Sequence, residues 1–505
     1  MEQTPGSSRL AAWRPLALSG LCGALLVLAF APFGLWPLAP LGLAGWLGLF
    51  AGLKPRQAFW SGWLFGLGLF GGGVNWVHIS IHQYGHSPLP AALAVTLLLI
   101  AYLALFPALA AGLARRLAPG RPGFRLLLLV FPSLWVLTEW LRGWLFTGFP
   151  WLNPGYSQID APLSGFAPLL GVYGLDWLLA LSAGLLVYLL SRRGRLRWAA
   201  AGLLLLIWLA GSGLRGLSWT EPAGAPLRLS LIQGNISQEL KWVRSQRQAT
   251  LARYLEMTRR EWAEWQPRLV IWPETAIPAF YHEVEDGFLA ALRAEAADAG
   301  SDLLTGVPVL DRESWRYYNA VINLEAPTGF YYKRHLVPFG EYLPLREWLG
   351  GLLQVMPLPV ADFSAGEGPP LLTAAGQPVG MSICYEVIFG EELLDALPEA
   401  GLLVNVSNDA WFGDSLAPHQ HLEMARMRAL ETGRYLLRAT NTGISAVIAP
   451  DGRLSARSPQ FQPAVVRDTV RPYRGTTPYV KSGNGPLFAL LVLLLSAAAR
   501  RGRGA

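Results

Sequence analysis

The sequence predicts a helical membrane bundle of about eight spans joined to an α/β domain outside the cytoplasm, and three observations carry that prediction. Of the 505 residues, 52% are apolar and only 15% charged, with a mean hydropathy of +0.32, too apolar a balance for a single soluble enzyme. Seven apolar segments before residue 215 are each long enough to cross about 30 Å of hydrocarbon. From about 225 to 475 the pattern changes to short β-like runs alternating with helical stretches, which implies a sheet covered by helices.

The segments lie near Leu10–Phe30, Leu35–Leu53, Ala58–Ile79, Pro90–Leu113, Phe124–Leu145, Leu163–Leu190 and Trp198–Leu214. An eighth, Pro486–Ala499, is short for a span, and Arg500, Arg501 and Arg503 follow it. Lys and Arg are retained on the cytoplasmic side. Arg9 and Arg14 precede the first segment, Lys54 and Arg56 follow the second, Arg115, Arg116, Arg121 and Arg125 follow the fourth, and Arg192, Arg193, Arg195 and Arg197 follow the sixth. The amino terminus is therefore expected in the cytoplasm, and seven crossings deliver everything after residue 215 to the far side. Ala29-Phe30-Ala31 imitates a signal-peptide cleavage site, but the proline that follows and six further segments favour an uncleaved anchor. The net charge of +7 mostly records these basic flanks, so no nucleic-acid partner is read from it.

The resulting partition is a transmembrane region of seven spans over 1–215, a catalytic domain over 225–475 and a last transmembrane helix over 486–499. Within the middle region, strands are expected at Leu227–Gln233, Leu269–Trp272, Asp302–Val307, Ala320–Leu324, Gly329–Tyr332, Val379–Ile383, Leu402–Ser407 and Ile444–Ala449. Helices are expected at about Ser245–Trp265, Gly287–Ala299, Gly390–Leu397 and His419–Arg434. About 250 residues suffice for one α/β domain with a sizeable core.

Cys384 ends an apolar run, Pro378–Ile383, and a helix-like stretch follows it. A strand-to-helix corner projects its apical side chain and aims freed N–H groups at whatever that side chain attacks. Taken alone, such a cysteine is as readily a small buried hydrophobe. Two further runs end on ionisable residues: Leu269–Pro273 on Glu274, and Gly329–Tyr332 on Lys333. The only other cysteine, Cys22, lies in the first apolar segment and cannot reach Cys384. A lone thiol in an oxidising compartment is a liability unless its chemistry is used, and the same scarcity excludes a cysteine zinc site. Glu, Lys and Cys, in that order and each at a strand end, resemble the triad of the carbon–nitrogen hydrolase (nitrilase) superfamily. That resemblance implies an α-β-β-α sandwich.

Further stretches extend the likeness to the whole chain. Gly148-Phe149-Pro150-Trp151-Leu152, Gly155-Tyr156-Ser157-Gln158, Gln233-Gly234-Asn235-Ile236, Trp272-Pro273-Glu274-Thr275, Lys333 through Glu341, Ile383-Cys384-Tyr385-Glu386 and Asn408-Asp409-Ala410-Trp411-Phe412 resemble the apolipoprotein N-acyltransferase family. Ser237, standing where proline is expected, and the short eighth segment depart from the family pattern. The resemblance implies a bacterial inner-membrane enzyme with a periplasmic catalytic domain and no metal or other cofactor. It implies acyl transfer from a phospholipid, through a thioester on Cys384, to the α-amine of a diacylglyceryl-cysteine in a lipoprotein. Glu274 would be the base and Lys333 the cation that stabilises thiolate and oxyanion, with the Tyr385 N–H as a second oxyanion donor. Glu341 and Glu386 would orient Lys333 and Cys384, Tyr385 and Trp242 match further family positions, and Trp411 would gate substrate entry. A buried Tyr or Trp is also ordinary packing.

Two other classes remain open to the sequence. Glu139, Arg142 and Asp176 among the apolar segments fit a transporter with an exported binding domain. A membrane-tethered amidase acting on a small soluble substrate would use the same triad. Against it stands the uncharged stretch Gly350–Val360, rich in Gly and Pro, which suits a membrane-dipping arm. His419, His421 and Glu423 suggest a metal less than the start of a helix, because ligands on one helical face should be three or four residues apart.

Overall fold

The computed structural model describes residues 5–325, 329–343 and 362–501. They fall into two compact units, one made of the chain up to His78, Leu89–Leu217 and the residues from Ser482 on, the other of Ile79–Pro88 with Ser218–Lys481. The apolar stretch at 350–360 lies outside the described residues.

In the first unit every expected apolar segment contains helix: Pro5–Leu26, Leu38–Phe50, Pro55–Gly73, Leu89–Leu103 with Leu105–Leu117, Phe131–Arg142, Ala167–Ser191, Arg195–Leu214 and Gly485–Arg501. Small residues let the backbones approach. A Cβ on Gly23 would meet the Phe65 carbonyl oxygen at 1.9 Å, and one on Gly68 would meet that of Gly20 at 2.0 Å. Among the described residues, Leu89–Leu117, Pro162–Ser191 and Arg195–Leu214 are long and apolar enough to cross a membrane, and Pro55–Gly73 with the bent Val77–Tyr84 makes a fourth. Arg14–Ala29, Leu38–Phe50 and Gly485–Arg500 are apolar but shorter. In the fifth segment a π-helical turn, Arg125–Val130, runs directly into the α-helix Phe131–Arg142.

Glu139, Arg142 and Asp176 are joined in one network through Asn153. Arg142 pairs with Glu139 and donates to Asn153 Oδ1 at 2.7 Å and to the Trp151 carbonyl at 2.7 Å. Asn153 Nδ2 donates to Asp176 at 3.0 Å, and the Gly155 N–H donates to the same carboxyl at 2.6 Å. Buried charges persist when paired and hydrogen-bonded. Here they hold the turn that carries Gly148–Leu152 and Gly155–Gln158, which is a structural task rather than a transport path.

The second unit contains strands β1 (Thr220–Pro222), β2 (Leu227–Gln233), β3 (Leu269–Ile271), β4 (Asp302–Asp311), β5 (Arg316–Asn323), β6 (Phe330–Tyr332), β7 (Leu371–Ala374), β8 (Gln377–Ile383), β9 (Leu402–Ser407), β10 (Leu436–Thr440), β11 (Ala446–Ile448), β12 (Leu454–Arg457), β13 (Ala464–Val470) and β14 (Tyr473–Gly475). Two six-stranded sheets form, in the orders β13-β2-β3-β4-β5-β6 and β12-β11-β10-β9-β8-β7, while β1 pairs with β14. The centre of each sheet is parallel, β2-β3-β4 in one and β8-β9-β10 in the other.

Side-chain alternation along a strand assigns the two faces. Leu269, Ile271, Leu229 and Leu231 of the first sheet share one core with Val379, Met381, Ile383, Leu402, Val404 and Val406 of the second, so the sheets pack face to face. Val270, Trp272, Leu303 and Ile322 point the other way and pack with Leu251 and Tyr254 of the helix Arg244–Glu264 and Leu292 of the helix Ala290–Asp298. The helix Ala417–Thr432 lies against β10 on the outside of the second sheet. The architecture is the α-β-β-α sandwich expected for a nitrilase-like domain.

Candidate active site

Parallel strands collect functional side chains beyond their carboxyl ends. Glu274 follows β3 and Lys333 follows β6, the edge strand of the same sheet, while Cys384 follows β8 and Asn408 follows β9 of the other. The backbone is strained at two of these ends: Cys384 has φ +52° and Thr275, next to Glu274, has φ +45°. A side chain beyond glycine rarely adopts this conformation, least of all a β-branched one, and such strain concentrates where geometry serves chemistry. The helix-like stretch expected after Cys384 is in fact a 3₁₀ turn, Cys384–Ile388, followed by the short helix Gly390–Leu394.

Glu274 is buried. Its Oε1 accepts from Asn319 Nδ2 at 2.7 Å and lies 3.9 Å from Lys333 Nζ, while its Oε2 accepts from the Asn408 N–H at 2.8 Å. Burial pushes its carboxyl above the usual carboxylate range; Lys333 opposes the shift, Glu341 adds to it, and Lys241 and the Asn319 hydrogen bond oppose it again. Lys333 is 1% exposed and its Nζ donates to Glu341 Oε1 at 2.8 Å. Burial pulls this ammonium down, but Glu341 and then Glu274 and Cys384 outweigh it, and the net shift is upward. Lys333 is therefore a fixed cation at every working pH. The partly buried Cys384 thiol is pushed up to about 12 by burial and by Glu274, against the pull of Lys333. It rests as the neutral thiol and needs a base.

Glu386 connects the Cys384 corner to the strand that ends at Lys333. One oxygen accepts from the N–H groups of Arg334 at 2.6 Å and His335 at 3.1 Å, the other from the Ile383 N–H at 2.6 Å and the Tyr331 hydroxyl at 2.8 Å. Glu341 Oε2 accepts from the Val337 N–H at 2.8 Å, which fixes the carboxyl that holds Lys333. Tyr385 is buried, edge-on to Phe389 and His335. The structure thus brings together Glu274, Lys333, Cys384, Glu341, Tyr385 and Glu386. Trp242 and Trp411 stay outside this buried cluster, 52% and 39% exposed. Trp411 is held by Ser80, whose hydroxyl donates to its carbonyl at 2.6 Å, and by the Tyr84 ring.

Several members were not anticipated. Asn319 and Asn408 supply the partners of Glu274; the first is a lone amide in the buried half of β5, the second opens the Asn-Asp-Ala-Trp-Phe stretch. His421 begins a helix as expected, yet it also serves the corner: its Nε2 donates to the Cys384 carbonyl at 3.1 Å, and its Nδ1 lies 3.2 Å from Asp409 Oδ1 and 3.0 Å from Arg438 Nη2. Among the described residues no group of three His, Cys, Asp or Glu could hold a metal ion.

Comparison with known proteins agrees with this arrangement. Residues 22–185 match the apolipoprotein N-acyltransferase N-terminal domain, and residues 228–477 match the carbon-nitrogen hydrolase family. Apolipoprotein N-acyltransferase of Methylococcus capsulatus is 51% identical over 97% of this chain and 96% of its own length. The chain belongs to the apolipoprotein N-acyltransferase family. The family's enzymes of Azotobacter vinelandii and Nitrosomonas europaea are 46% and 45% identical, over 97% and 94% of this chain and 96% and 95% of theirs. Nit3 of Saccharomyces cerevisiae, from the nitrilase superfamily, covers 50% of this chain and 93% of its own at TM-score 0.38 and 18% identity; the fold assignment rests instead on the family match and on the sandwich itself. As a member of the apolipoprotein N-acyltransferase family the chain is an acyltransferase of lipoprotein biosynthesis, associated with the membrane. Neither a transporter nor a soluble-substrate amidase accounts for the match over 22–185.

Proposed function

We propose that this enzyme moves a fatty acyl chain from a membrane phospholipid to the amino-terminal amine of a diacylglyceryl-cysteine lipoprotein in two half-reactions that share one base. The observation that carries the reading is the meeting of a neutral thiol, a raised carboxyl and a fixed ammonium at three strand ends. Glu274 removes the thiol proton as Cys384 Sγ attacks the ester carbonyl, and the new C–S bond leaves an oxyanion facing Lys333 and the Tyr385 N–H. Collapse expels the lysophospholipid alkoxide, which takes the proton back from Glu274. The acceptor amine then attacks the thioester, Glu274 takes its proton, the amide forms, and the returning thiolate recovers that proton. Glu341 and Glu386 keep Lys333 and Cys384 in place, and Trp242 and Trp411 are assigned to the substrates.

The same reading sets the chain in a bacterial inner membrane, with 1–215 as a region of seven spans, 225–475 as a periplasmic catalytic domain and 486–499 as a last transmembrane helix. Basic flanks on alternate segments support this orientation. The helices too short to span alone would be completed by their flanking turns.

Given phospholipid and no acceptor, the full-length protein should accumulate an acyl group on the Cys384 peptide, seen by mass spectrometry and removed by neutral hydroxylamine. A diacylglyceryl peptide with a free amine should discharge it. Cys384→Ala should carry no adduct, and Glu274→Gln or Lys333→Ala should form it about a hundred- to a thousandfold more slowly. Transfer by the Cys384→Ala variant would end this mechanism.

A further inference from the structure

A second lysine is buried at this site, and the mechanism above does not use it. Lys241 is 3% exposed, at the end of the short helix Gln238–Lys241, and its Nζ donates to the Glu274 carbonyl oxygen at 3.2 Å and to Thr275 Oγ1. Both acceptors belong to the turn that presents the base, and that turn is under strain. Thr275 is a β-branched residue at φ +45°. The turn is also pressed against β4, where a Cβ on Gly306 would meet the Thr275 nitrogen at 2.4 Å and the Glu274 Cα at 2.7 Å. A conformation of this kind persists only where its surroundings over-determine it. Gly306 supplies the space and Lys241 supplies the tether. A second anchor secures the lysine's own segment, since Gln238 Oε1 accepts from Asn408 Nδ2 at 2.7 Å and the Asn408 N–H donates to Glu274 Oε2 at 2.8 Å.

Resting on the acyl-transfer reading, we propose that Lys241 is a positioning residue for the general base: its ammonium clamps the strained Glu274–Thr275 turn and supplies, beside Lys333, a second positive charge that keeps Glu274 ionised and ready to accept a proton. Burial draws Lys241 down to about 8, with Glu274 and Cys384 pulling it back up, so it remains mostly protonated at neutral pH. The charges that face Glu274 are then Lys241 from the segment before the helix Arg244–Glu264, Lys333 from the end of β6, Glu341 from the loop beyond it, and the titratable Cys384 from the end of β8. Removing Lys241 leaves Lys333 and the Asn319 hydrogen bond to oppose burial and Glu341, and Glu274 then holds its proton to higher pH.

The test is the pH dependence of acyl-Cys384 formation by the full-length protein in phospholipid micelles. Wild-type labelling at Cys384 checks the underlying reading by itself; without it that reading fails, whatever Lys241 does. With wild type labelled, Lys241→Met should move the acid limb of the profile up by about one pH unit, with acylation about tenfold slower on that limb. Thr275→Val keeps the ammonium but removes one of its acceptors, and should slow acylation about tenfold with the limb unmoved. A folded Lys241→Met variant with the wild-type limb overturns the proposal. If Lys241→Met does not fold, Thr275→Val decides: a wild-type acylation rate overturns the proposal and the slowed rate with an unmoved limb supports it.

Discussion

The two sheets of the catalytic unit share one apolar core but differ on their outer faces. Outside the first, Val270, Trp272, Leu303 and Ile322 meet helices through hydrocarbon, with the Trp272 indole donating to Thr258 at 2.9 Å and the Ser230 hydroxyl donating to Glu261 at 2.8 Å as polar exceptions. Outside the second, the alternate residues Ser382, Asn405, Ser407 and Arg438 are buried and polar, and they meet Asp409 and His421. Arg438 Nη2 donates to Asp409 Oδ2 at 2.8 Å, the Ser407 hydroxyl donates to Oδ1 at 2.7 Å, and Arg438 Nη1 donates to Asn405. Asn405 Nδ2 donates to Ser382 Oγ at 3.0 Å and to the Cys384 carbonyl at 3.4 Å. Apolar packing is non-directional and tolerates volume-conserving change, whereas a hydrogen-bonded network fixes angles but is costly when one member is lost. Cys384, strained at φ +52°, sits over the network, whereas Glu274 follows a strand backed by hydrocarbon and is held by Asn319, Asn408 and Lys241.

The largest effect should come from breaking the network at its charge. Arg438→Met strands a buried carboxylate, and a loss of about 3–5 kcal/mol is expected in denaturant unfolding. Burial raises the Asp409 pKa, but Arg438, His421 and Ser407 together hold it well below the usual carboxylate range. Its contribution is therefore full above an ordinary Asp pKa of about 3.9 and fades as pH falls toward the depressed native value. The gap between wild type and Arg438→Met should accordingly narrow as pH drops below about 4. A gap independent of pH would mean that the pair does not carry the difference.

A smaller change, Asn405→Ala, should destabilise by about 1–3 kcal/mol and also slow Cys384 acylation, because it removes a donor from the corner's carbonyl. Stability loss with an unchanged acylation rate per folded molecule would separate network from nucleophile and weaken the contrast. The smallest effect belongs to the apolar face. Ile322→Val should cost about 0.5–1.5 kcal/mol in unfolding and leave acylation of the folded fraction unchanged. A slowed rate there would show that hydrocarbon packing sets catalytic geometry as well.

The same contrast explains what could be read from the sequence. Leu227–Gln233 and Leu402–Ser407 match β2 and β9 end to end, because apolar runs bounded by turn residues announce themselves. The helix expected at Ser245–Trp265 is observed at Arg244–Glu264. β10 went unread because Arg438 interrupts a five-residue run, and β7, β12 and β13 because short or half-exposed edge strands carry a weak pattern. Glu274, Lys333 and Cys384 were legible as single ionisable ends of apolar runs. Asn319, Asp409, His421 and Lys241 were not, since polar side chains that converge from distant strands and loops leave no local period. The count of membrane crossings stayed out of reach of composition alone, because a helix can bend inside one apolar run, as Pro55–Gly73 and Val77–Tyr84 do.

The height of the Cys384 pKa, about 12, bears on durability as much as on rate. Held that high, the thiol is almost wholly protonated at neutral pH, and it is the thiolate that attacks peroxide and disulfides. A thiol that stays protonated in this way is oxidised slowly. The burial that would make acyl transfer depend on a base would also protect this sulfur from oxidation.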